Sequence, residues 1–269
     1  MPLRALITSP LGFLIGLSLG ALGGGGSILA VPALVYAAGQ DPREATASSL
    51  LLVGAAAAVG IGPHWRAGRV RLDTGVAFGG AGIGGSLVGS ALNRRIDPDV
   101  LLLAFAVLAL VAARRMLTGC PSCTRAGEER AVHTAGVAGV AVVTRIDIRR
   151  GAAVVAAGIG VGLLTGLFGV GGGFVIVPAL TLLLHLSMPA AIGTSLVVIV
   201  INCAVALAAR MPTASIDWAV TIPFAVAATS GAITGGRLAD QLDARRSLRW
   251  FAALLVGVAA YTAVDALTG

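Results

Sequence analysis

Residues 16–34 read GLSLGALGGGGSILAVPAL and residues 162–180 read GLLTGLFGVGGGFVIVPAL, identical at ten of 19 positions at an offset of 146. Each stretch is apolar on both sides of a glycine run: Gly23, Gly24, Gly25 and Gly26 in the first copy, Gly169, Gly171, Gly172 and Gly173 in the second. The apolar runs that hold them, 5–38 and 151–184, are too long for one crossing. At about 1.5 Å per residue either would overshoot a hydrocarbon core of roughly 30 Å. Each is expected to be two half-helices joined by an unwound turn, the second half-helices starting at Ser27 and Gly173.

The register continues from Ala45–Leu50 to Ala191–Leu196, then resumes five residues out of phase, Gly80–Gly85 answering Gly231–Gly236. Six further apolar segments, 45–63, 73–93, 98–118, 190–210, 216–238 and 248–267, complete four per copy. The expected organisation is a first membrane repeat over 1–118, a polar cytoplasmic linker over 119–150 and a second repeat over 151–269. Composition agrees, since 57% of the 269 residues are hydrophobic and 12% charged, against about a quarter charged in soluble domains. The fold class is an all-α polytopic integral membrane protein. The 19 basic residues are all arginine and aromatics are 4%, which fits arginine at membrane edges and gives no stacking surface for nucleic acid. The first apolar stretch has the look of a secretory signal, but its reappearance in mid-chain marks it as retained membrane structure.

Cytoplasmic loops carry the basic excess. If all eight segments cross once, the two sides hold 12 and 7 arginines; if segments 1 and 5 are re-entrant, the sides hold 14 and 5. The re-entrant arrangement separates charge better. It also inverts the second copy, because each repeat then crosses an odd number of times, and inverted repeats with broken helices are an architecture of secondary transporters. Both arrangements put the linker in the cytoplasm.

Unwound backbone at membrane depth is tolerated only when buried in protein or lining a cavity. The half-helix that follows each glycine run starts with unsatisfied N–H groups and a positive dipole end, an arrangement suited to an anion; the alternative is that the glycines serve close helix packing. Ser48, Ser49, Thr194 and Ser195 open segments 2 and 6 and are second-tier donors, unless they bond back to their own helix carbonyls. Arg66 and Arg237 are vestibule candidates, and Gly80, Gly84, Gly85, Gly89, Gly231, Gly235 and Gly236 read as packing. Pro32 and Pro178 fit bends, and Asn202 is a lone amide within segment 6, with an interhelical bond or a functional role both open. No carboxylate lies mid-segment, so the sequence does not identify a coupling proton or sodium ion. Cys203 reads as a packed small hydrophobe, and Cys120 and Cys123 supply only half of a zinc ligand set. There is no Gly-x-Ser-x-Gly or His-Glu-x-x-His motif, and no enzyme activity, metal or cofactor is expected.

The doubled Gly-x-x-x-Gly-x-x-Gly-x-Gly-Gly-x(5)-Pro pattern, Gly16 to Pro32 and Gly162 to Pro178, followed by Ala-x-x-Ser/Thr-Ser-Leu at 45–50 and 191–196, resembles the TauE/SafE sulfite exporter family. The loop His64 to Val70 is similar to that family's basic loop after segment 2, and Ser215 to Trp218 to its second-half counterpart. The resemblance implies a multi-pass transporter of the bacterial inner membrane that moves small sulfur anions such as sulfite, thiosulfate or organosulfonates, usually outward, with substrate held where the repeats meet. Gly24 is matched by Val170 and Ser27 by Gly173, so the half-sites differ. A passive anion channel and a non-transporting membrane scaffold remain the competing readings.

Overall fold

The computed structural model describes residues 2–40, 42–93, 104, 106–114, 148–168, 173–184, 186–210, 216–239, 249–253, 256–257 and 259–260. Every regular element among them is helical. The long helices are α1 (Pro2–Leu22), α2 (Pro42–Arg66), α3 (Leu72–Asn93), α4 (Ile148–Phe168), α5 (Gly173–Leu182), α6 (Met188–Arg210) and α7 (Trp218–Ala239). Three of them contain stretches long and apolar enough to cross a membrane, Ala47–Arg66, Met188–Ala208 and Trp218–Ala239. Their backbone groups are satisfied within the segment, as a hydrocarbon solvent requires. Outward-facing apolar side chains such as Leu87, Val88, Ile222 and Val226 are exposed, which in a bilayer is lipid contact rather than a liability. Nearly all of the linker and much of segments 4 and 8 lie outside the described residues, as do Cys120 and Cys123.

Helix ends carry the chemistry expected of them. Asp217 Oδ1 accepts the Ala219 N–H at 3.0 Å and caps α7. Helix α2 starts at Pro42 with Glu44 in its first turn and ends on His64 and Arg66, matching the helix dipole. Gly68, at φ 68°, closes it while Arg69 N–H donates to His64 O at 3.0 Å.

Helix α1 stops at Leu22, and Gly23 has φ 74° and ψ −135°, a conformation that side chains with a Cβ rarely adopt. The chain then reverses. Gly26 sits against the backbone of Ile15 and Leu19, so a methyl group there would lie 2.5 Å from Ile15 O. A continuous helix would carry residue 26 away from residue 15. The returning segment is not the α-helix from Ser27 that the sequence led us to expect: it is a 3-10 helix over Gly24–Leu29, one α-turn over Ala30–Pro32 and a π-turn over Ala33–Ala37. Three successive glycines have poor α propensity, and Ser27 Oγ donates to Gly24 O at 2.7 Å, three residues back. In the second half α5 is described from Gly173, with Pro178 inside it, and the residues before it, 169–172, lie outside the described residues.

Packing exchanges elements between the halves: α1 lies along α7, α4 along α3, and α2 against both α6 and α7. Close approaches recur at the 146 offset. Gly12 meets Phe224 O and Gly158 meets Phe78 O; Gly16 meets Ala228 and Gly162 meets Gly82; Gly231 meets Phe13 O and Gly85 meets Ile159 O. Turn bonds repeat likewise, Gln40 N to Leu34 O at 3.1 Å and Leu186 N to Leu180 O at 3.0 Å. The contacts thus correct the five-residue phase shift. Gly85, not Gly80, is the counterpart of Gly231, and Gly80 and Gly84 have no neighbour within 4 Å of an added methyl. Glycines spaced by four residues permit either alignment, and only the facing helix decides between them.

Candidate functional site

Gly24 of the first glycine run and Gly173, the last glycine of the second, meet in the interior. A methyl on Gly24 would collide with the Gly173 backbone, and one on Gly173 would lie 2.5 Å from Ser27 Oγ and 2.6 Å from Gly24 O. A methyl on Gly23 would lie 2.7 Å from Ser195 Oγ. Gly23, Gly24, Ser27, Gly173 and Ser195 are therefore gathered at one centre, all buried, while Gly26, also buried, turns toward Ile15 and Leu19 of α1. Gly25 lies in the 3-10 turn between them. Gly169, Gly171 and Gly172 fall outside the described residues.

The hydroxyls divide in two. Ser27 and Ser195 donate to Gly24 O and Ile192 O, at 2.7 and 2.8 Å, within their own segments. Ser48 and Thr194 reach across helices: Thr221 Oγ1 donates to Ser48 Oγ at 3.1 Å, and Thr194 Oγ1 accepts the Arg71 N–H at 3.2 Å. Ser48 and Thr194 are equivalent at the 146 offset, but their partners are not: Gly75 stands where the second half has Thr221, and Thr194 is bonded instead by Arg71, whose counterpart is Asp217. Ser49 is buried as well. The described part of the centre has no charged side chain, so its donors are backbone amides and hydroxyls.

Arg66 and Arg237, distant in sequence, line one open cleft of about 540 Å³ together with Val59, Gly62, Pro63, Ala67 and Ile233. Asn202 is half-buried on α6, and Cys203 is buried with its Cβ 3.1 Å from a methyl built on Gly54. Two residues escaped the sequence reading. Thr221, 0% exposed, is the partner of Ser48; His64, 1% exposed, is buried although its sequence position looked like a segment end. A hydroxyl inside an apolar run was a signal for Thr221. His64 offered none, because its contacts come from other helices.

A family model described as sulfite exporter TauE/SafE matches residues 9–262. The chain belongs to the TauE/SafE family. A "Probable membrane transporter protein" of Xylella fastidiosa strain Temecula1 is 33% identical over 260 residues, 95% of this chain and 94% of the relative. A protein of the same description from strain 9a5c is 32% identical over 259 residues, at the same coverage. A "Probable membrane transporter protein" of Bacillus subtilis is 26% identical over 188 residues, 70% of this chain and 71% of the relative. No solved structure matches significantly. The TauE/SafE family is one of membrane transporters, not of enzymes, and membership makes this a membrane protein whose context is a lipid bilayer and a small anion.

Loss of the Ser48–Thr221 bond is expected to be measurable. Ser48→Ala and Thr221→Val each destabilise the protein by about 1 kcal/mol, and the double variant by less than their sum. The expected coupling is about 0.5–1.5 kcal/mol. Detergent-denaturant unfolding of the four proteins checks it, and strict additivity would dissolve the pair.

Proposed function

We propose that this TauE/SafE protein exports a small sulfur oxyanion or organosulfonate across the bacterial inner membrane, by alternating access between residues 1–118 and 151–269 as inverted repeats. The meeting of Gly24 with Gly173 carries the reading. The turn at Gly23 and the described start of α5 at Gly173 abut at the core, and an anion held there would be bound by backbone N–H donors with no formal charge to desolvate. Gly23, Gly24, Gly25, Gly26, Gly169, Gly171, Gly172 and Gly173 form the cradle, with Ser27, Ser48, Ser49, Thr194 and Ser195 adding hydroxyls. Ser27 and Ser195 rotate away from their carbonyls to donate to substrate.

Arg66 and Arg237 form the vestibule. Their shared cleft supports re-entrant first and fifth segments, because eight single crossings would leave the two arginines on opposite faces of the membrane. The reversal at Gly23 supports the same arrangement, and contacts exchanged at a constant offset are what a two-fold axis between the halves produces. Substrate thus enters past two guanidiniums, which concentrate anions at a mouth, and is handed to neutral donors that hold it weakly enough to release.

Purified protein in liposomes is expected to give saturable flux of one anion among sulfite, thiosulfate, sulfoacetate, sulfate and chloride. An imposed proton or sodium gradient distinguishes coupled from passive movement. Arg66→Gln and Arg237→Gln each raise KM on the order of fivefold at low salt, with the maximal rate unchanged. Flux proportional to concentration without limit would mean a channel, and folded protein passing none of the anions would end the sulfur-anion assignment.

A further inference from the structure

His64 is an imidazole at the crossing of four elements. On the last turn of α2, its Nε2–H donates to Gly20 O of α1 at 2.8 Å. Gly20 lies three residues before the break at Gly23, among the last four carbonyls that a helix leaves without internal donors. Gly236 of α7 comes so close that a methyl there would sit 3.6 Å from Nε2, and a methyl on Gly193 of α6 would sit 3.2 Å from His64 Cβ. The preceding residue, Pro63, lines the Arg66 and Arg237 cleft. His64 is consequently the chain neighbour of a cleft-lining residue, and it caps the end of the broken helix.

We propose that His64 is a positioning residue that latches this mouth shut: its bond to Gly20 O holds the last turn of α1 against α2 and separates the Arg66 and Arg237 cleft from the glycine break. No water-filled path needs to exist while the bond is made. Opening the mouth requires that α1 and α2 part, and the bond is a polar contact between them at that level. The glycines at 193 and 236 let α6 and α7 close over the imidazole, so the latch draws both halves together at one point. At the 146 offset the corresponding pair is Arg210 and Gly166, so the latch residue differs between the halves.

The labelling arm of the test is independent of the transport reading; the flux arm rests on it. In a background of Cys120→Ser, Cys123→Ser and Cys203→Ala, Ser195→Cys reports access to the break, since its side chain adjoins Gly23. A membrane-impermeant thiol reagent is applied from the side on which the arginine cleft opens. His64→Leu keeps the volume and removes the donor, and labelling is expected to rise on the order of tenfold. His64→Gln keeps an N–H donor and should return labelling to within twofold of the His64 protein. If the Leu variant does not fold, His64→Met, also without a donor, replaces it. Equal labelling with His, Gln and Leu or Met at position 64 would overturn the latch.

In liposomes with thiosulfate as probe, the donor-less variant should lose about tenfold in maximal rate with KM unchanged, and Gln should restore it. A mouth that cannot close cannot alternate, whereas binding at the break is left intact. Unchanged maximal rate, or failure of Gln to restore it, would also overturn the proposal. Absence of thiosulfate flux in the unsubstituted protein would count against the substrate assignment, and the labelling result would still decide the latch.

Discussion

Transport by Gly24→Ala protein is expected to fall at least a hundredfold, with the protein still folded in the membrane. The added methyl meets the carbonyl oxygen, carbonyl carbon and Cα of Gly173. All three are backbone, so no rotamer change relieves the collision and the two breaks must move apart. Overpacking of this kind costs on the order of 1–3 kcal/mol in a core, which a chain of this size can survive. Function is less forgiving, because a shift near 1 Å in a positioned site costs roughly a hundredfold in rate. Gly173→Ala is expected to be milder: one of its three near neighbours is Ser27 Oγ, which can rotate, although Gly24 O at 2.6 Å cannot. Gly160→Ala, with nothing within 4 Å of the new methyl, is the control and should transport normally. The reading is checked by initial flux rates at equal reconstituted protein, and wild-type flux through Gly24→Ala would remove the breaks from the substrate path.

What the sequence disclosed and what it hid follow one division. Features fixed by the local chain were legible: the stop of α1 before Gly23 and the opening of α2 and α6 near the paired hydroxyls. Features fixed by a facing helix were not. Ser27 was read as a helix start, but its hydroxyl bonds to Gly24 O inside a 3-10 turn. Ser195 takes the back-bonding course that was one of two options, while Ser48 takes an interhelical one, and nothing in their local sequences separates them. His64 gains its role from a carbonyl 44 residues away. The register of the third helices was available in principle. Phe78 and Phe224 stand 146 apart and are 1% and 0% exposed, and two large aromatics fix an alignment better than a field of glycines does.

That register yields the second large effect. If Gly80 were the counterpart of Gly231, Gly80→Ala would disrupt a helix crossing; in the contact register Gly85 occupies that place. A methyl on Gly85 collides with Ile159 O of α4, as one on Gly231 collides with Phe13 O of α1, whereas a methyl on Gly80 meets nothing within 4 Å. Gly85→Ala and Gly231→Ala should therefore behave alike, each forcing apart a close backbone crossing between the halves. The expected loss is on the order of 5–10 °C in thermal midpoint, or failure to recover folded protein from the membrane. Gly80→Ala should leave the midpoint within about 2 °C, because alanine is at least as good a helix former as glycine and no packing changes. Fluorescence-monitored size exclusion of heated, detergent-solubilised protein measures all three. Destabilisation by Gly80→Ala with tolerance of Gly85→Ala would restore the shifted alignment. The opposite pattern, with Gly85 and Gly231 matched in severity, would mean that α4 against α3 and α1 against α7 are the same crossing made twice.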